Sequence, residues 1–323
     1  MDNRITAKFN GKKCLITGGA GFIGSNLTIF LSEIGTKVTV IDNFSTGRKE
    51  NTEIFSSLGI SIIDADLCHL DQTKKHFEEV DYVFHQAAVP SVPRSITEPI
   101  FTNSSNINAT LNVLENSRKG GVTKVVYAAS SSAYGNTETL PKVEDMFPSP
   151  LSPYAVQKLA GEMYCKTYYD NFALRTTSLR YFNVYGPNQD PNSEYSAVIP
   201  IFIRQAFSNE PLIIFGDGET SRDFTFIADV IQANLCAALS ESADGHTVNV
   251  AYGNRCTLTE LAQHIIDITD SKSEIIYVDE RKGDVKHSLA DLSKTKDLMG
   301  YKPEYNLKRG LEKTIQFYKD NVQ

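Results

Sequence analysis

Apolar runs and polar breaks alternate regularly over the first half of the chain. KKCLIT, TKVTVID, GISIID, DYVFHQA and TKVVYAAS are short apolar runs rich in β-branched and aromatic residues. Runs of this length, apolar at successive positions, predict strands buried on both faces. Stretches of helical character separate them. FIGSNLTIFLSEIG follows the first run, and EPIFTNSSNINATLNVLENSRKGG precedes the fifth. The latter predicts a crossover helix over 97–119, stopped by Gly120 and Gly121. Strands separated by helices make a parallel sheet covered on both sides. Past residue 180 the pattern loosens into loops rich in Pro, Asn and Gly (YGPNQDPNSEY, FGDGETSRDF), with helices predicted around 229–240, 257–269 and 307–320.

Composition narrows the function classes. The 323 residues are 41% hydrophobic and 22% charged, enough for one large core and an appended smaller unit. The formal net charge of -7, with no basic stripe, argues against nucleic acid or an anionic membrane as partner. The polar N-terminus MDNRITAKFNGKK reads as neither signal peptide nor anchor. Cys14, Cys68, Cys165, Cys236 and Cys256 form no Cys-x-x-Cys pair. That suits reduced thiols, a cytoplasmic location and no metal site, with Cys14 and Cys165 acting as small core hydrophobes.

The first strand runs into TGGAGFIG, where Gly18, Gly21 and Gly24 lie between a strand and a helix that opens with Phe22 and Ile23. Such a turn lets a pyrophosphate approach the helix N-terminus, whose free N–H groups favour anions. The second strand ends in Asp42, placed to accept from both ribose hydroxyls of an adenosine and to repel a 2'-phosphate. The implied cofactor is therefore NAD, not NADP. Asp66 follows the third strand, placed to accept from the adenine amino group or else to cap the next helix. Ala87 and Ala88 follow the fourth and leave room for a cofactor against the backbone, while Asn43 and Ser45 add polar groups or turn chemistry beyond Asp42. The fold class is α/β: a Rossmann-type doubly wound parallel sheet over 1–180, with a smaller mixed α/β C-terminal substrate domain over 181–323. Some later strands are expected to rejoin the sheet.

The fifth strand ends in AASSSAYG, and twenty residues on SPYAVQK places Tyr154 and Lys158 one helical turn apart on one face. A buried lysine ammonium beside NAD+ puts positive charge near the phenol and favours phenolate, a base usable near neutral pH. A serine hydroxyl at the neighbouring strand end can share the same substrate oxygen. Together they take a proton from an alcohol as a nicotinamide takes the hydride. His85 and His287 are given no catalytic part.

The motifs TGGAGFIG, VIDNFSTG, DADL, HQAA, SSSAYG, SPYAVQK, LRYFNVYGP, GDGETSRDF and RKGDVKHSLAD, in this order, span nearly the whole chain. In that series the chain resembles the extended short-chain dehydrogenase/reductases, and among them the nucleotide-sugar 4-epimerases. The resemblance implies that Ser130, Tyr154 and Lys158 form the catalytic set, with Ser131 and Ser132 beside it. It adds Gly47, Leu67, Gln86 and Tyr181 to the cofactor contacts. On the substrate side it implies Asn183 and Gln189 at the diphosphate sugar and the backbone of Ala197 and Val198 at uracil. Arg222 and Arg281 become the phosphate clamps, Asp284 holds the ribose or orients Arg281, and Ser91 and Ser288 line the hexose pocket.

Dehydrating relatives carry Asp-Glu after the corresponding hydroxyl residue, where this chain has Ser131 and Ser132. The expected reaction is therefore reversible C4 epimerisation of a UDP-hexose through a 4-keto intermediate. Relatives restricted to glucose and galactose carry a tyrosine where this chain has Ser288, and SVPRS (91–95) resembles a subgroup acting on UDP-GlcNAc and UDP-GalNAc. Those two are the expected substrates, with UDP-Glc and UDP-Gal also accepted. The alternatives are a UDP-hexuronate (UDP-GlcNAcA or UDP-GlcA) and, further off, a dehydratase or reductase. The family's homodimer, built from the 97–119 and 153–172 helices, is the implied assembly.

Overall fold

The fold was analysed in a computed structural model, which describes residues 3–190, 198–280 and 285–321. The five expected strands form at Lys13–Thr17 (β1), Lys37–Asp42 (β2), Ser61–Asp64 (β3), Tyr82–His85 (β4) and Lys124–Ser130 (β5). Two more, Thr176–Tyr181 (β6) and His246–Val250 (β7), complete a seven-stranded sheet in the order β7-β6-β5-β4-β1-β2-β3. Every pairing in it is parallel. Neighbouring residues of one strand enter different cores, as the two-residue period requires. Ile16, Phe84, Val126 and Ala128 pack towards helices Phe22–Glu33 and Ile227–Leu239. Leu15, Val83, Val125 and Tyr127 pack towards helices Ala109–Gly120 and Pro153–Phe172. β7, from beyond residue 180, thus rejoins the sheet at its far edge. β3 at the other edge is largely exposed, so the two-sided cover expected of every strand stops there.

The order reverses between β1 and β4, whose outgoing chains leave to opposite sides. The crevice at the carboxyl ends of these strands is where doubly wound sheets bind ligands. The helix expected over 97–119 begins at Pro99 and runs as Pro99–Asn103 through a π turn at Ser104–Asn108 into Ala109–Gly120, with a separate short helix Val92–Thr97 ahead of it. Pro99 disfavours helical backbone at Glu98, which sits at φ -128°, ψ 56°. Gly121 ends the last piece in the left-handed conformation. The Pro153–Phe172 helix begins cleanly, because Ser152 accepts from the Ala155 N–H and Pro153 occupies the first turn.

Beyond the sheet lie small two-stranded pairings: Val184–Tyr185 with Thr225–Phe226, Leu212–Phe215 with Ile275–Val278, and Ser221–Asp223 with Arg255–Thr257. All five cysteines are free thiols, with Cys14 and Cys165 buried as expected of core positions.

Candidate active site

A cleft of about 510 Å³ opens at the switch point. Gly18 and Gly24 make its floor. Gly18 has φ +72°, and a Cβ there would lie 2.6 Å from the Ala87 backbone. A Cβ on Gly24 would overlap the Gly18 carbonyl oxygen. The loops after β1 and β4 therefore close on each other only if these positions lack side chains. Asp42 ties the glycine loop to β2: its Oδ2 accepts from the Ala20 N–H and its Oδ1 from the Phe44 N–H, each at 2.8 Å. Each oxygen keeps a lone pair for a ribose hydroxyl. Gly47 packs against the same carboxylate and lies outside the lining. Asp66 accepts from the Cys68 N–H at 2.8 Å in a local turn. The helix-capping alternative is out, because the next helix starts at Leu70.

Of the expected cofactor residues, Gly18, Gly21, Phe22, Ile23, Gly24, Asp42, Asn43, Ser45, Asp66, Leu67, Gln86, Ala87, Ala88 and Tyr154 line the cleft. Tyr181 lies behind it, in a buried cluster with Gln86 and Asn234. Lys158 is likewise buried behind the lining. Its Nζ donates to the Ala128 carbonyl at 2.8 Å and lies over the Tyr127 ring, 5.1 Å from the centroid.

The Ser130 hydroxyl is near enough to Tyr154 to favour its phenolate, and Ser132 donates to the Ser130 hydroxyl at 2.8 Å. Burial lifts the Tyr154 phenol to about 12, with the Ser130 hydroxyl opposing. Burial brings the Lys158 ammonium down to about 8. In the protein alone desolvation dominates the phenol; the lowering expected from the sequence comes from Lys158 and NAD+ together, so the cofactor's positive charge is part of the expected site.

The substrate-side residues divide. Asn183, at φ +32°, donates from Nδ2 to the Ser288 hydroxyl at 3.1 Å and to the Asp223 carbonyl at 3.2 Å. Ser288 also accepts from the Asp223 N–H at 3.3 Å, so residues 105 apart in sequence meet in one cluster. Arg222 neighbours them and donates to the Ser221 and Lys286 carbonyls. Asp223 itself is buried and gathers the N–H groups of Tyr252, Gly253 and Ala290. Ser91 is buried, its hydroxyl accepting from the Arg94 N–H at the start of the Val92–Thr97 helix. Val198 opens the helix Val198–Phe207. Ala197, Arg281 and Asp284 lie outside the described residues. His85 is a buried link between the Thr17 and Thr110 hydroxyls, and His287 bonds Ser221.

Sequence reasoning missed Arg48, Val89, Ser105 and Asp190 in the lining. Arg48 pairs with Asp190 at 3.3 Å, joining the loop after β2 to the GPNQD loop. The signal available was position: Arg48 directly follows VIDNFSTG, and Asp190 directly follows Gln189.

A profile described as the NAD dependent epimerase/dehydratase family matches residues 14–251. The chain belongs to that family. It is 38% identical over 309 residues to a putative UDP-glucose 4-epimerase of Methanocaldococcus jannaschii, covering 95% of this chain and 98% of that protein. Among solved structures it is similar to a UDP-N-acetylglucosamine 4-epimerase of Methanobrevibacter ruminantium in complex with UDP-N-acetylmuramic acid. There the identity is 39% and the TM-score 0.92, with 97% of this chain and 100% of that one covered. It is also similar to a UDP-glucuronic acid 4-epimerase of Bacillus cereus solved with UDP-glucuronic acid and NAD, at 33% identity and TM-score 0.86, covering 95% and 99%.

NAD is the family's cofactor, and the cleft fits it. Gly18, Gly21 and Gly24 line it without side chains, and Asp42 presents its carboxylate beside them. Gln189, lining the same cleft, has a buried Oε1 with no hydrogen-bond partner among the described residues, an acceptor left for a ligand.

Proposed function

We propose that this chain, an NAD-dependent UDP-sugar 4-epimerase, interconverts UDP-GlcNAc and UDP-GalNAc and accepts UDP-Glc and UDP-Gal as well. Tyr154 removes the O4 proton and returns it, with the Ser130 hydroxyl beside it to share the substrate oxygen. Lys158 holds its charge behind the phenol, anchored on β5. When bound, NAD+ supplies the acceptor for the C4 hydrogen and the added positive charge that the phenol needs to ionise. Ser131 and Ser132 offer no acid for a leaving hydroxyl, which favours epimerisation over dehydration. Residues 1–180 carry the cofactor in this reading, and 181–323 hold the nucleotide sugar through Asn183, Gln189, Val198 and Arg222. Ala197, Arg281 and Asp284 keep their proposed places from the sequence. The exposed apolar side chains Ile100, Phe101, Val156 and Met163, on the two helical segments implied for a dimer, support a homodimer.

The substrate reading is carried by Ser288. Its hydroxyl is bonded to Asn183, which lines the cleft, and a serine in place of the tyrosine of glucose-restricted relatives is the small side chain that would admit an N-acetyl group. The test is incubation with UDP-GlcNAc, UDP-Glc and UDP-glucuronate without added NAD, resolving the C4 epimers. Epimerisation of UDP-GlcNAc supports the reading. Turnover of UDP-glucuronate alone moves the substrate to the hexuronates, as the Bacillus cereus relative's name would suggest.

A further inference from the structure

A chain of buried side chains runs beneath the catalytic helix. The π turn at Ser104–Asn108 turns Asn106 inward, towards the loop after β4. Its Oδ1 accepts from the Val89 N–H at 2.7 Å and its Nδ2 donates to the Val89 carbonyl at 3.2 Å. These two bonds fix which end of the amide faces where. The same Nδ2 donates to Gln157 Oε1 at 2.8 Å, and Gln157 Nε2 donates to the Thr102 hydroxyl at 3.0 Å. Thr102 in turn donates to a carbonyl of its own helix. Each donor and acceptor along this line has one assignment, and Asn106, Gln157 and Thr102 are all buried.

One end of the line, Val89, lies in the cleft, and its middle member, Gln157, lies on the catalytic helix. Val89 and Tyr154 line the same cleft, and Gln157 is three residues beyond Tyr154 and one before Lys158. We propose that Gln157 is a positioning residue: through Asn106 it sets the Val89 loop against Tyr154, so that the sugar is held in place between its two hydride transfers. The inference rests on the epimerase reading. The sugar is oxidised at C4, turns, and is reduced again, and during the turn the ketone is retained by the anchored nucleotide together with the walls of the cleft. A loop freed to shift lets the ketone escape. Each ketone lost leaves its hydride on the cofactor, so the electrons balance and the escape is countable as reduced nicotinamide left on the enzyme.

The experiment uses purified holoenzyme and whichever UDP-hexose the wild type turns over. Gln157→Met keeps the side-chain length and removes both amide bonds. It is expected to lower kcat by about 10- to 100-fold, the scale of an ångström-sized misplacement. KM should change by no more than about 2-fold, because the nucleotide is held elsewhere. Reduced cofactor at steady state should rise several-fold over wild type, roughly in step with lost commitment. The Asn106→Ala/Gln157→Met double variant should be no worse than the worse single, since the two act as one unit. Should Gln157→Met not fold, Thr102→Val frees Gln157 Nε2 with little change of shape and should show the same signature more weakly. A wild type inactive on every UDP-hexose overturns the epimerase reading, and this inference with it. An active wild type overturns the inference alone in any of three cases: kcat unchanged, loss of kcat only in step with melting temperature and NAD content, or additive single effects with no excess reduced cofactor.

Discussion

The Ser288 cluster gives the sharpest test of substrate choice. Ser288→Ala removes one acceptor and leaves the pocket no smaller. Asn183 then loses its 3.1 Å bond and keeps the 3.2 Å one to the Asp223 carbonyl. A hydrogen bond of this kind contributes about 1 kcal/mol net. If Asn183 contacts the diphosphate sugar, KM should rise about 5-fold for every UDP-hexose alike, by the usual conversion of free energy to affinity. Ser288→Tyr loses the same bond and also places a ring on the sugar side. An N-acetyl group then meets the ring where a hydroxyl does not, and a filled pocket of this sort discriminates by about 100-fold. The prediction is therefore a pair of ratios. From wild type to Ala, kcat/KM for UDP-GlcNAc and UDP-Glc should fall together. From Ala to Tyr, UDP-GlcNAc should fall about 100-fold further and UDP-Glc little. Initial rates on both sugars, with the C4 epimers resolved by chromatography, give both ratios. Equal losses from Ala to Tyr would refute Ser288 as the gate, and a silent Ser288→Ala would show that its bond to Asn183 has no part in binding.

Tyr154→Phe should lower kcat by about 10²- to 10⁴-fold while UDP-sugar binding, measured calorimetrically, survives. Near-full activity would mean that the base is misassigned. Wild-type protein should release NAD on denaturation, whereas Gly24→Ala, whose Cβ would overlap the Gly18 carbonyl, should purify with little; equal nicotinamide in both supernatants would count against the cradle. Lys158, brought down to about 8 by burial, loses its proton as pH rises through that value. The charge beside Tyr154 goes with it, so kcat/KM should decline above about pH 8, and a profile still rising beyond pH 9 would contradict this role. Ile100→Glu, on an exposed apolar face, should shift the sedimentation of the protein from dimer to monomer; an unchanged dimer would place the interface elsewhere.

Strand positions in the first half were legible because each is a local run of apolar residues between breaks, and the turn after β1 because its glycines, the preceding strand and Asp42 all sit within 30 residues. The spacing of the proposed pair Tyr154 and Lys158 was legible for the same reason, being a property of one helix. What lay between elements was not legible. β6 and β7 were not read from the sequence: β6 pairs beside β5 and β7 beside β6, with helix Ile227–Leu239 packed against that side of the sheet. The break at Pro99 was written in the sequence, but the π turn that points Asn106 inward was not, since its partners Val89 and Gln157 lie 17 and 51 residues away.

The ionisation of the site belonged to the fold as well. The Tyr154–Lys158 spacing was legible, but not that burial raises the phenol to about 12 in the protein alone, because desolvation depends on everything that surrounds the pair. Likewise Ser288 read as a small residue in the hexose wall, and only the tertiary structure joined its hydroxyl to Asn183, 105 residues away. The sequence by itself determined the elements, the cofactor loop and the reacting side chains, because each is a short-range pattern. Which residues hold those side chains in place was decided by contacts between distant segments, and no local pattern encodes them.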